Sequence, residues 1–135
     1  KLAEEALRAS EDRYQNFIRQ STEGIWRFEL SEPLSVHLSR GEQIDHLFKH
    51  AYLAECNDAM AQMYGYAHAH ELKDFTLADF FPRDADTEAY LNYFIESGYR
   101  VENAESKELD RYGEVHYFSN NLVGFIEDGL VHRAW

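Results

Sequence analysis

Asn120 and Asn121 stand side by side in YFSNNLVGF, inside a run that otherwise reads as a β-strand, and they raise the first chemical question. Asparagine is a poor strand former, and an amide buried without hydrogen bonds is costly. Neighbouring strand residues point to opposite faces, so one of the two looks into a core and needs a bonding partner there. Glu108 or Glu105 together with His116 has the composition of an acid–base pair. The chain shows no nucleophile elbow, metal-ligand set or phosphate loop, so catalysis by this segment is not expected. His46 and His50 lie four apart, a spacing that can hold a metal on one helix face. Without an H-E-x-x-H pattern they read instead as a solvated face, as do His68 and His70, and no metal site is expected. The single cysteine, Cys56, can form neither an internal disulfide nor a cysteine-rich zinc site, and reads as a buried, inert core residue.

These groups are carried by alternating helical and strand periodicities. Residues 2–20 are helical, with Ala3, Leu7, Ser10, Tyr14 and Phe17 in one stripe. The stripe serves either to pack the helix on its own domain or as the end of a coiled coil. STEG breaks it, and GIWRFEL follows as a half-buried strand with Trp26, Phe28 and Leu30 on one face. Residues 31–39 read as loop. Ser39 and Glu42 form a capping box before a helix over 40–51 with Ile44, Leu47, Phe48 and Ala51 as its apolar stripe. YLAECN is a second strand with Tyr52, Ala54 and Cys56 on one face. Asn57 caps a helix that carries Met60, Met63 and Tyr64 and ends at Gly65. Thr76 and Asp79 start a further short helix. Residues 84–97 form a longer one, with Tyr90, Leu91, Phe94 and Ile95 inward and Gly98 as its stop. Three strands follow, at about 99–109, 115–126 and 130–135. Turns at Gly113 and Asp128-Gly129 make them an antiparallel meander. The organisation is a flanking helix, residues 1–20, and a single domain, residues 21–135.

A chain of 135 residues, 44% of them apolar, can build one real core. The formal charge of −12 repels phosphate backbones, so no nucleic-acid partner is expected. No apolar run approaches the roughly 20 residues of a membrane helix, so no direct membrane contact is expected. With no visible signal peptide and one cysteine, the expected location is the cytoplasm. The sequence starts without methionine and stops within a strand, and so reads as a piece of a longer chain whose remainder could carry an anchor.

Four segments, taken in order and spacing, resemble the PAS family of sensory domains. They are ALRASEDRYQNFIRQSTEGIWRF, AECNDAMAQMYGY, ELKDFTLADFFPRDAD, and LDRYGEVHYF followed by GFIEDGLVHRAW. The resemblance covers Leu7 to Trp135. It implies an α+β fold: a five-stranded antiparallel sheet in the order 2-1-5-4-3, with helices covering one face and a flanking N-terminal helix. It implies a pocket between sheet and helices for a small molecule, and homodimerisation through the flanking helix or the outer sheet face. It further implies relay of the signal to an output domain, often a histidine kinase or a diguanylate cyclase. A ligand-free dimerisation and spacer module is the alternative. Residues 31–51 depart from the family, whose link between the first two strands is usually short. That segment forms either a lid or a cover for a sheet edge.

The long helix has no histidine and the chain no C-x-x-C-H, so haem is not expected. The light-sensing Asn-Cys-Arg motif is missing, so covalently attached flavin is not expected, and the cofactor stays unknown. The family's register turns Phe118, Asn120, Leu122 and Gly124 toward the helices, with Ala104, Ser106 and Glu108 beside them. Trp26, Phe28, Tyr64, Tyr90 and Phe94 would supply walls, Cys56 would add to the lining, and Gly124 would leave room. The polar groups either satisfy one another or a water, or they hold a ligand. A slip of one residue would instead turn Tyr117, Ser119 and Asn121 inward.

Overall fold

The computed structural model describes residues 2–135. Its ten main elements are α1 (Leu2–Gln20), β1 (Trp26–Ser35), α2 (Arg40–His50), β2 (Ala51–Cys56), α3 (Asp58–Met63), α4 (Leu77–Phe80), α5 (Ala85–Glu96), β3 (Arg100–Leu109), β4 (Val115–Glu127) and β5 (Leu130–Ala134). A 3-10 turn at Ala69–Leu72 lies between α3 and α4. The strands form one antiparallel sheet in the order β2-β1-β5-β4-β3, as the resemblance implies. Phe28, Leu53, Val101 and Val131 rise from the inner face into the core, where Leu47, Tyr64, Phe80 and Phe94 descend from the helices.

The sheet runs further than the pattern of residues 31–39 suggests. Leu30 is the last residue of β1 paired to β2, but β1 continues against β5 through Leu34↔Val131 and Ser35↔Leu130. Leu34 and Val131 are both fully buried, which holds this extension in place. Pro33 has no β2 partner beside it, so its missing N–H breaks no bond on that side. The expected loop is therefore mostly strand. The next helix, α2, is capped as expected: Ser39 Oγ accepts from the Glu42 backbone N–H at 3.3 Å. Ile44 and Leu47 are buried against the rest of the fold, so α2 is a core element rather than a detachable lid. His46 and His50 do not form a wet face. His46 Nε2 sits 2.8 Å from the Glu32 carbonyl and His50 Nδ1 2.8 Å from Ser31 Oγ, because the extended β1 runs beside them.

Two bulges adjust the inward set. In β2 the pairing steps from Arg27↔Glu55 to Phe28↔Leu53, leaving Ala54 unpaired. Parity changes there, so Ala51 and Leu53 are the buried positions. Tyr52, Ala54 and Cys56 do not share one face. In β3 the pairing steps from Val101↔Leu122 to Ala104↔Asn120, so Glu102 and Asn103 together oppose Asn121. The Asn121 carboxamide oxygen accepts from the Asn103 N–H at 2.8 Å, closing this bulge from the exposed side. Asn103 has φ 49, a conformation asparagine tolerates. At the β4–β5 hairpin, Asp128 and Gly129 have φ 54 and 73, the geometry of a two-residue primed turn.

α1 stands apart from this core. Leu7 is 61% exposed and Phe17 65%, and Ile18 is its one buried residue. The stripe therefore does not pack on its own domain. The helix is tied down at its C-terminal end, where Tyr14 Oη and Gln15 Nε2 donate to the Glu55 carboxylate at 3.3 and 3.0 Å.

Candidate functional site

The register places Asn120 inward and Asn121 outward. Asn120 belongs to a continuous polar chain that crosses the sheet–helix interface. Tyr90 Oη, from α5, donates to Asn120 Oδ1 at 2.5 Å, and Asn120 Nδ2 donates to Ser106 Oγ at 2.7 Å. Ser106 Oγ donates to one oxygen of the Glu108 carboxylate, and Tyr64 Oη, from the C-cap of α3, donates to the other. Strand alternation explains the set. Ala104↔Asn120, Ser106↔Phe118 and Glu108↔His116 are directly opposed pairs on one face. The expected polar groups thus satisfy one another, with two helix tyrosines as the additional partners.

Glu108 is completely buried. Burial pushes its pKa up from 4.5 to about 7, although hydrogen bonds from Ser106 and Tyr64 favour the charged form. When Glu108 takes up a proton it can donate to Ser106 Oγ, whose own hydrogen then turns to the Phe118 carbonyl 3.5 Å away. The chain therefore stays bonded in either protonation state. Burial, and then the neighbouring Glu108, raise the hydroxyl pKa values of Tyr64 and Tyr90, so both remain donors. Glu108 does not pair with His116. The imidazole Nε2 lies 2.8 Å from Asp110 Oδ2, and Glu105 is exposed, so the sequence's acid–base candidates are not assembled. Asp110 also accepts from the Tyr112 and Glu114 backbone N–H groups at 2.8 and 2.9 Å, which makes it the cap of the β3–β4 turn.

Two spaces adjoin this chain. A small apolar cavity of about 50 Å³ lies between sheet and helices, where Trp26, Phe28, Tyr90, Phe94 and Leu122 meet. A water occupies about 30 Å³ of liquid, so this cavity is far below drug or cofactor size. Beside it a larger groove of about 570 Å³ opens outward. Trp26, Met60, Tyr64, Phe118, Asn120 and Trp135 contribute to its walls, and Glu108 to its floor. Of the residues expected around the pocket, all but Cys56, Ala104 and Gly124 lie at one of these spaces or in the polar chain between them. Cys56 lies elsewhere, partly buried near the 3-10 turn, with Sγ 3.8 Å from the Ala69 carbonyl. Burial raises its thiol pKa to about 11, which keeps it protonated. Gly124 leaves no vacancy either. Its N–H donates to the Tyr99 carbonyl at 2.7 Å, and an added Cβ would lie 3.0 Å from Tyr99 Cβ.

Sequence reasoning missed two features. Asn57 is more than an N-cap. Its Oδ1 accepts from the Ile25 and Met60 N–H groups at 3.0 and 2.9 Å, and its Nδ2 donates to the Ile18 and Glu23 carbonyls at 3.0 and 2.8 Å. One 2%-exposed amide therefore joins α1, the linker and α3. The outer wall of the groove was also unforeseen, because Trp135 and the linker residues 22–25 approach it from distant positions. Only the repeated polar character of STEG hinted that this linker borders anything.

No helix among the described residues is long and apolar enough to cross a membrane. No protein-family model matches the sequence, and no curated protein matches it. Solved structures do. The PAS domain of an HTR-like protein from Haloarcula marismortui is 15% identical with a TM-score of 0.52, over 98% of this chain and 92% of that one. An RNA-binding light-oxygen-voltage receptor is 14% identical with a TM-score of 0.56, over 92% of this chain and 31% of that one. With its strand order and helical cover, and with these neighbours, the chain has the PAS fold.

Proposed function

We propose that this chain is a sensory PAS module of a larger signalling protein. It takes up a small molecule in the groove beside the Tyr64–Glu108–Ser106–Asn120–Tyr90 chain and is not itself an enzyme. The observation that carries this reading is the groove of about 570 Å³, a size usual for ligand sites, which meets a buried polar relay linking α3, β3, β4 and α5. An occupant that prefers one arrangement of that relay shifts the packing of helices on sheet. One that binds both arrangements equally transmits nothing. The signal leaves through α1, whose exposed Leu7 and Phe17 suit a parallel helix of a second copy, and passes to a cytoplasmic output domain such as a histidine kinase or a diguanylate cyclase. Native mass spectrometry of the gently purified domain tests the reading. A reproducibly retained small molecule is expected.

A ligand-free dimerisation and spacer module is the second reading. It is favoured by the small size of the inner cavity, about 50 Å³, and by a polar chain already bonded to itself. A clean apo mass, together with dimerisation through α1, would put this reading ahead.

A further inference from the structure

The charge lining the groove is one-sided. Glu108 and Glu23 border it, and no lysine, arginine or histidine does. The whole chain adds a formal charge of −12. Trp26, Phe118 and Trp135 present aromatic surface, and Met60 and Met63 present adaptable thioethers. Aromatic faces attract cations, while a carboxylate or phosphate would sit beside like charge in a negative field. A carboxylate offers about four lone-pair positions, and at Glu108 Tyr64 and Ser106 take two of them.

We propose that the groove binds an organic ammonium ion, its head directed to Glu108 and its apolar body held by Trp26, Trp135 and Met60. This rests on the sensory reading above and names its ligand class. Glu108 is fully buried and Phe118 of β4 lines the same groove, so contact requires that wall to yield, which couples binding to the β4 packing. The groups facing Glu108 are Tyr64 at the C-terminal end of α3, Tyr90 from α5, Ser106 from β3, and His116, Phe118 and Asn120 from β4, with the Cys56 thiol of β2 beyond Tyr64. His116, directly opposite, is bonded to Asp110 instead of Glu108, and no lysine or arginine is among these groups, so the ammonium supplies the missing counter-ion. It draws Glu108, poised near neutrality, to its ionised form. Binding therefore releases a proton at pH 7 and tightens as pH rises through that range.

Both tryptophans of the chain line the groove, so their fluorescence reports occupancy. Three probes of similar shape decide the ligand class: phenethylammonium, phenethyl alcohol and hydrocinnamate, each titrated at pH 7. The expected result is saturable quenching by the ammonium alone. Glu108→Gln is expected to weaken it by about ten- to a hundred-fold, the loss of a charge-assisted hydrogen bond, while the exposed Glu105→Gln leaves it unchanged. Calorimetry of the unaltered protein in two buffers of different ionisation heat is expected to show the released proton, even should the Glu108 variant not fold. The proposal is overturned if the alcohol or the carboxylate binds as tightly as the ammonium, or if no proton is released. Should that happen while native mass spectrometry retains a neutral or anionic molecule, the ammonium claim falls and the sensory reading stands. A silent groove with a clean apo mass sinks both.

Discussion

Replacing Glu108 by glutamine changes how stability depends on pH, and the size of that change follows from burial. At pH 4 the Glu108 carboxyl is protonated in both the folded and the unfolded chain. Between its ordinary value of 4.5 and its folded value of about 7, only the unfolded chain ionises, which pulls the equilibrium toward unfolding. Above about pH 7 both states are ionised and the loss is constant. The gap, 7 − 4.5 = 2.5, at about 1.36 kcal/mol for each pKa unit, gives a loss of about 3 kcal/mol between pH 4 and pH 8. Glutamine has the shape of the protonated acid and does not titrate, so Glu108→Gln should escape this loss. Every other titratable group is common to both proteins and cancels in the difference. Urea denaturation of both proteins at pH 4, 6 and 8 should show the variant gaining about 3 kcal/mol on the parent across the series. In thermal melts that is on the order of 10 °C. Two pH–stability curves parallel to within about 1 kcal/mol would refute the account of Glu108 as a buried acid held near neutrality.

Tyr64→Phe removes a donor to the Glu108 carboxylate, so it should raise that pKa further and destabilise by about 1–2 kcal/mol at pH 8. The cost should shrink at pH 5, and an equal cost at both pH values would count against it. Asn57→Ala deletes four hydrogen bonds at a buried position and should cost about 2–4 kcal/mol. It should also speed tryptic cleavage at Arg19, and an unaltered digestion rate would contradict the clamp. Gly124→Ala forces a methyl group against Tyr99 and should lower stability by about 1–3 kcal/mol in the same urea assay.

The elements that formed as read are those where local chemistry and tertiary demand agree. Ser39 and Asn57 each cap the helix their type predicts, and Asp128-Gly129 turns the last hairpin. Alternation left a one-residue slip open on β4; the register that the resemblance implies is the one that formed, because pairing runs unbroken from the Gly113 turn to Asn120. Failures came where a non-local partner decides. Residues 31–35 hold a proline and three polar side chains, and nothing local announces that β5 lies alongside to pair with them. The β2 bulge reverses parity within six residues, too short a span for periodicity to reveal it. Gly124 looked like spare room because a sequence does not show that the Tyr99 backbone fills it. Cys56 shared an apparent face with Ala54 until that bulge separated them.

The grip of Asn57 on the Ile18 carbonyl has a mechanical corollary. α1 contains 19 residues, and at about 1.5 Å per residue it is a rod roughly 28 Å long held near one end. Tilting such a rod by about 10° sweeps its free tip through roughly 5 Å, close to one helical turn. A sub-ångström displacement at this pivot, too slight to disturb the hydrophobic interior, is thereby magnified at the far end of the rod.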